Sequence, residues 1–208
     1  MSDEDLRRSI EAVRNQIGQL KDGWPSERLY KIAVYVESIG KSWDALHAAS
    51  SSLAKEGAAD PGGPALQAES FRASAKNSLR FARINLDAAL MEALDSVVKR
   101  PRSANKSDEQ KKTLALKRVF DGSPEPDKSM LQQYCVSSDP LDKWLIAGPW
   151  GHDYLRKRAI DIGAYDIKLC KMLSCEETAA GRIILSYSDL SKALDALEEC
   201  ALRSSEAL

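Results

Sequence analysis

Apolar residues recur along this chain at alternating steps of four and three, the spacing that lines one face of an α-helix. Near the N-terminus Leu6, Ile10, Val13, Ile17 and Leu20 form one such stripe. Ser2 followed by Asp3, Glu4 and Asp5 predicts an N-cap and an acidic first turn that suits the helix dipole. Gly23 and Pro25 predict its end: glycine takes a left-handed cap, and proline blocks continuation. A second helix starts at Ser26. Its stripe, Leu29, Ile32, Val36, Ile39, Trp43, Leu46, Ser50 and Leu53, keeps a strict seven-residue repeat. The glycine- and proline-rich stretch 55–64 breaks the pattern. A third helix over about 65–98 then carries Phe71, Ala75, Leu79, Ala82, Leu86, Leu90, Ala93 and Val97. Alanines on that seam permit a neighbouring helix to come close. The pattern predicts a long antiparallel hairpin of helices two and three, with the first helix packed along it.

Beyond Pro101 the pattern weakens. A short helix over about 108–120 precedes a loop with two prolines, and two further short helices are predicted around 128–135 and 140–147. Pro140 suits a first helical position after Asp139 as cap. A longer helix over about 152–173 is apolar on more than one face, with Leu155, Ile162 and Leu169 joined by Ile160 and Ile167, which predicts a well-buried central helix. Ser174 with Glu177 reads as a capping box for a last helix whose stripe is Ile183, Tyr187, Leu190, Leu194, Leu197 and Ala201. The segment Arg182–Ser188 has some strand character, but no partner strand is predicted elsewhere, so helix is preferred. The expected fold is an all-α helical bundle. It divides into a three-helix unit at 1–98, a basic linker with a short helix at 99–129, and a smaller helical unit at 130–208, with one continuous domain as the alternative.

Composition narrows the class. The chain has 208 residues, 43% of them hydrophobic and 29% charged, with a formal net charge of −1. A folded protein is expected, and no global field draws it to nucleic acid or to an anionic membrane. No apolar run approaches the length of a membrane helix, and the polar, acidic start resembles neither a signal nor a transit peptide. Cys135, Cys170, Cys175 and Cys200 are read as reduced thiols, and a cytoplasmic location is expected, or a nuclear one in a eukaryotic or viral setting.

Candidate chemistry is sparse. His152-Asp153 matches the paired His-Asp of helical metal phosphohydrolases, but a metal needs several converging ligands, and the other histidine, His47, sits mid-helix. A corner accounts for more of these residues: Gly148 closes one helix, Pro149 follows, and Gly151 caps the next. Trp150 and Leu155 then form a hydrophobic staple, with Asp153 in the first turn. Four cysteines with His152 raise zinc, yet their spacing is not that of a knuckle and buried cysteine is common. No phosphate-cradling glycine loop, no Gly-x-Ser-x-Gly elbow and no paired Glu-x-x-His is present. The serines of 50–52 have only His47 nearby, a weak nucleophile pattern. No catalytic, cofactor or metal residues are assigned, and an enzyme is not expected.

Three basic features remain. Arg72, Lys76, Arg80 and Arg83 fall at helical spacing beside the third seam. Lys99, Arg100, Arg102, Lys111 and Lys112 belong to a window, 99–118, with eight basic residues against two acidic, and its paired clusters also resemble a bipartite nuclear localisation segment. These nine are the candidate polyanion-binding residues, set against a solvated helix face. The same window has no aromatic to stack a base. Arg156, Lys157 and Arg158, expected near a helix start, are the candidate anion contact, set against solvated pairs with Asp153 and Asp161. The expected function is a non-enzymatic interaction or assembly protein, an adaptor, inhibitor or complex subunit that binds a protein partner or itself. The reason is that three heptad seams exceed what one small bundle buries. The alternative is a nucleic-acid-associated helical protein, such as an accessory subunit of a ribonucleoprotein complex, contacting phosphate backbone.

Overall fold

In the computed structural model, residues 3–20, 26–56 and 63–206 are described. They form nine helices and no strand: α1 Asp3–Gln19, α2 Ser26–Glu56, α3 Gly63–Val97, α4 Lys106–Asp121, α5 Pro126–Val136, α6 Pro140–Ala147, α7 Pro149–Lys157, α8 Ile162–Leu173 and α9 Ala179–Glu206. The fold is all-α. The expected Ser2 cap, the Gly23–Pro25 stop with Trp24, the Leu53 side chain and the centre of the 55–64 break lie outside the described residues.

The chain forms two compact units, residues 1–88 with 189–208, and residues 89–188. The sequence places its borders at 98 and 129. The compact units instead divide within α3 and α9.

The first unit brings four helical segments together. Ile10 on α1 faces Gly40 on α2, and Arg7 and Arg14 reach Asp44 and Glu37. Contacts between α2 and α3 run in opposite order along the two helices: Tyr35 stacks on Phe81, Ser38 meets Ser78, Ser42 meets Ser74, and Trp43 packs on Phe71. The C-terminal part of α9 lies along α3 through Arg83 to Asp195 and Arg72 to Ser205. It touches α1 where the Ser9 hydroxyl contacts the Cys200 sulfur at 3.1 Å. The predicted stripes point inward. Leu6, Ile10, Val13 and Ile17 are buried, as are Leu29 through Leu46 of the α2 seam and Phe71 through Leu86 of the α3 seam. Leu190, Leu194, Leu197 and Ala201 of α9 complete this core.

The second unit packs α4 to α8 with the remainders of α3 and α9. The cap anticipated from sequence at Asp139 is present here: it accepts from the Leu141 amide at 2.8 Å, with Pro140 first in α6. At α4 the helix starts two residues before the predicted 108, capped by Asn105, which accepts from the Asp108 amide. Three expectations fail.

The predicted helix 152–173 is two helices, α7 and α8, separated at 158–161. Ala159 takes φ 55°, and the Ala159 and Ile160 amides reach back to the Arg156 and Leu155 carbonyls. This is a Schellman ending, with alanine where glycine is usual. Asp161 then caps α8 by accepting from the Gly163 and Ala164 amides. Leu155, Ile162 and Leu169 are buried as expected, but Ile167, also expected in the core, is 48% exposed, so α8 is covered on one face only.

Ser174 does not start the last helix. It ends α8 as a second left-handed Schellman residue, φ 51°, with its amide on the Lys171 carbonyl and that of Cys175 on Cys170. Thr178 takes the capping role instead, its hydroxyl accepting from the Gly181 amide at 3.0 Å.

Gly151 is not a cap either. α7 begins at Pro149 after Gly148, so Gly151 lies within its first turn, and Trp150 stacks on Tyr154 rather than acting as a staple.

The α6–α7 corner therefore requires glycine for space. A Cβ at Gly151 overlaps the Ile146 carbonyl oxygen, which is backbone and has no way to move aside. Gly151→Ala is expected to lower unfolding free energy in urea by about 1–3 kcal/mol or more, the cost of overpacking. Gly18→Ala, where nothing lies within 4 Å, is expected to raise it by about 0.5–1 kcal/mol through helix propensity. Equal effects at both sites would contradict this account of the corner.

Candidate functional site

The second unit holds two sites of chemical interest. One is internal. His152, on α7, is 2% exposed, and Asp166, on α8, is fully buried. Imidazole Nε2 lies 2.6 Å from Asp166 Oδ1, and Nδ1 lies 3.1 Å from the Gly148 carbonyl oxygen. A carbonyl only accepts, so Nδ1 carries a hydrogen. The Nε2 to Oδ1 contact then needs a second proton, on the imidazole or on the carboxyl. The edge of His152 meets Tyr165, whose hydroxyl donates to the Ile146 carbonyl at 3.0 Å. Asp166 Oδ2 is buried with no partner among the described residues. Burial pushes the Asp166 carboxyl above its ordinary range. His152 and the charge of Arg156 pull it down, and Asp161 pushes it up. The pair joins α7 to α8.

His152 was visible in the sequence, but Asp166 was not recognised as its partner. The available signal was position: Asp166 is four residues after Ile162 and three before Leu169, on the buried stripe of α8. An acidic residue there must be paired.

The other site is a surface cleft of about 420 Å³ between α4 and α7, lined by Lys117, Asp121, Trp150, Asp153, Tyr154, Lys157 and Arg158. Trp150 stacks on Tyr154, with ring centroids 5.4 Å apart. The Arg158 guanidinium lies over Tyr154 at 4.8 Å and pairs with Asp121, which also accepts from the Tyr154 hydroxyl at 3.2 Å. Lys157 pairs with Asp153 at 2.6 Å. Lys117 is exposed and makes no ion pair among the described residues. Burial raises the Tyr154 phenol above its ordinary value, with Arg158 opposing.

The predicted anion contact is thus divided. Lys157 and Arg158 line the cleft, while Arg156 turns to Tyr187, donating to its hydroxyl and lying 5.3 Å from the ring. All three sit at the end of α7, not at its start, so the helix dipole favours them and no row of free helix-start amides faces them.

The nine candidate polyanion residues also separate. Arg72, Lys76, Arg80 and Arg83 belong to the first unit, and Lys99, Arg100, Arg102, Lys111 and Lys112 to the second. Arg72 donates to Ser205, and Arg83 bridges Asp195 and Glu198. Arg100 pairs with Glu109 and covers Trp144 at 5.5 Å, while Lys112 bridges Asp139 and Asp142. Lys76, Arg80, Lys99, Arg102 and Lys111 are exposed and make no ion pair among the described residues.

The cysteines divide as well. Cys170 and Cys175 meet because they flank the Schellman ending of α8, where an apolar contact is common. Exposed Cys135 contacts Met172, and Cys200 lies in the first unit. Among the described residues no three His, Cys, Asp or Glu side chains converge as metal ligands, and no helix is long and apolar enough to cross a membrane. No protein-family model, curated protein or solved structure matches the chain.

The buried pair fixes a pH dependence. Above the ordinary aspartate value of 3.8 the unfolded chain releases a proton that folded Asp166 retains. This contribution to stability is therefore full at low pH and is lost as pH rises through the raised folded value. Asp166→Asn is expected to flatten that part of a stability–pH profile measured by urea unfolding. His152→Ala leaves a buried carboxyl unpartnered and is expected to cost about 3–5 kcal/mol. A fully stable His152→Ala protein would contradict the structural role.

Proposed function

We propose that the chain is a non-enzymatic assembly protein whose first unit associates with a second copy of itself. The heptad seams no longer support this, because they are buried within the chain. The support is the outer surface of α2 and α3. Val34, Phe81 and Ile84 are 42%, 45% and 49% exposed near the Tyr35–Phe81 stack, and Tyr30 on α2 is 71% exposed. Tyr30 and Val34 lie one turn apart on α2, and Phe81 and Ile84 one turn apart on α3, and adjoining exposed apolar side chains mark interaction surfaces.

The surface is also shaped for self-pairing. Beyond this bulky end, α2 and α3 enclose a groove of about 320 Å³, lined by Ser42, Ala45, Ala49, Ser70 and Ser74 together with the larger Leu46, Gln67 and Phe71. Ile84 lies ten residues along α3 from Ser74, roughly 15 Å at the helical rise. A two-fold axis between the protrusion and the hollow seats each copy's bulky end in the other copy's groove, the self-complementarity that an isologous dimer needs. Four cysteines without an assigned disulfide suit a reducing compartment such as the cytoplasm.

A second reading rests on the second unit. On α4 and the segment before it, Lys99, Arg102, Lys106, Lys111, Lys117 and Arg118 are exposed and carry no ion pair among the described residues, a set suited to phosphate backbone.

Sedimentation velocity across a concentration series tests the first reading. The expected result is a concentration-dependent shift towards dimer that Phe81→Asp with Ile84→Asp abolishes while helicity is retained. A chain that stays monomeric at its highest soluble concentration, or a dimer indifferent to both substitutions, overturns it.

A further inference from the structure

The basic window 99–118 has no aromatic residue of its own, but the fold brings one to it. Lys117, near the end of α4, shares a cleft with Trp150 and Tyr154 of α7. We propose that this cleft binds a nucleotide unit, with a planar base laid on the Trp150 indole and its phosphate held by the ammonium groups of Lys117 and Lys157. The proposal deepens the phosphate-backbone reading and rests on it for the charge contacts, not for the stacking.

Trp150 is half-buried and lines the cleft, and the stacked Tyr154 ring backs it, which presents a stiff apolar wall of the kind on which bases stack. The Arg158 guanidinium fixes Tyr154 from above, and Asp121 holds both Arg158 and the Tyr154 hydroxyl. The wall is therefore preorganised by a closed Arg-Asp-Tyr network, and the Asp121 carboxylate is already neutralised.

The remaining charges favour an anion. Asp153 is matched by Lys157, an exposed pair one helical turn apart that contributes little and is easily exchanged for a phosphate. Lys117 has no carboxylate partner among the described residues, so the lining carries one cation more than its acids balance. The cleft volume, about 420 Å³, falls in the range of small-molecule sites. Along α4, Lys106 and Thr113 stand eleven and four residues before Lys117, on the same helical face. A strand whose terminal base enters the cleft would follow that face, so the same chemistry serves a free nucleotide and the end of a single strand.

Isothermal titration calorimetry at low and moderate salt, with adenosine monophosphate, adenosine, a single-stranded oligonucleotide and duplex DNA as separate probes, tests the proposal on the full chain. Saturable binding of the monophosphate, tighter than of adenosine, is expected. Lys117→Glu, at an exposed position, is expected to weaken it roughly ten- to hundredfold, the loss of one charge-assisted contact. Trp150→Ala is expected to weaken it roughly five- to hundredfold, with Trp150→Phe between, which separates stacking from damage to the fold. An oligonucleotide that binds tighter than the monophosphate, with the same losses, identifies a strand end as the source, and the reverse order identifies a free nucleotide. No binding of the monophosphate, equal binding of adenosine, or indifference to Lys117→Glu overturns the cleft. If duplex DNA then still binds and is released by Lys106→Glu with Lys111→Glu, the backbone reading stands without it; if no nucleic acid binds, both fall.

Discussion

Placing an imidazole and a carboxyl side by side in an apolar interior requires a proton between them, and the second unit is arranged around that requirement. His152 comes from the first turn of α7 and Asp166 from the middle of α8, so their 2.6 Å contact closes the two helices across the break at 158–161. Gly148 fixes the other side of the imidazole through its carbonyl, which ties the α6–α7 corner to the same pair. Tyr165, next to Asp166, packs on the imidazole and bonds back to Ile146 at the end of α6. The end of α6, the start of α7 and the middle of α8 thus converge on one buried polar contact. A half-satisfied polar group there costs more than an apolar residue would, and the contact therefore specifies one arrangement of the corner.

The first unit follows a different rule. Its order comes from apolar seams at heptad spacing and from serine pairs between α2 and α3. The hydroxyls of Ser38 and Ser78, and of Ser42 and Ser74, satisfy one another. Ser42 and Ser74 also line the outer groove.

Charge is distributed by position on the helices. Arg72 and Arg83 turn towards α9, and Arg100 and Lys112 meet acidic residues that the fold delivers, so four of the nine basic candidates act as packing and pairing groups. Exposed pairs of this kind contribute little to stability. Their consequence is to leave Lys76, Arg80, Lys99, Arg102 and Lys111 as the exposed cations of the set. At the end of α7, Arg158 organises a tyrosine, while Lys157 keeps its charge at the cleft mouth.

Local sequence determined the all-α class, the inward faces of α1, α2, α3 and α9, and the start of α6 at Asp139. Each of these depends on residues within two turns of one another, so the pattern is local. Tertiary structure decided the rest. Ala159 and Ser174 adopt left-handed helix endings without glycine, which no local rule announces; the Ile160 and Cys175 amides close each ending on the Leu155 and Cys170 carbonyls. The break between α7 and α8 then moved the basic triplet from a helix start to a helix end and reversed its electrostatic meaning. Asp166 is fourteen residues from His152, and Lys117 thirty-three from Trp150. Separations of that size carry no imprint in spacing, because only the closure of helices on one another turns them into a contact.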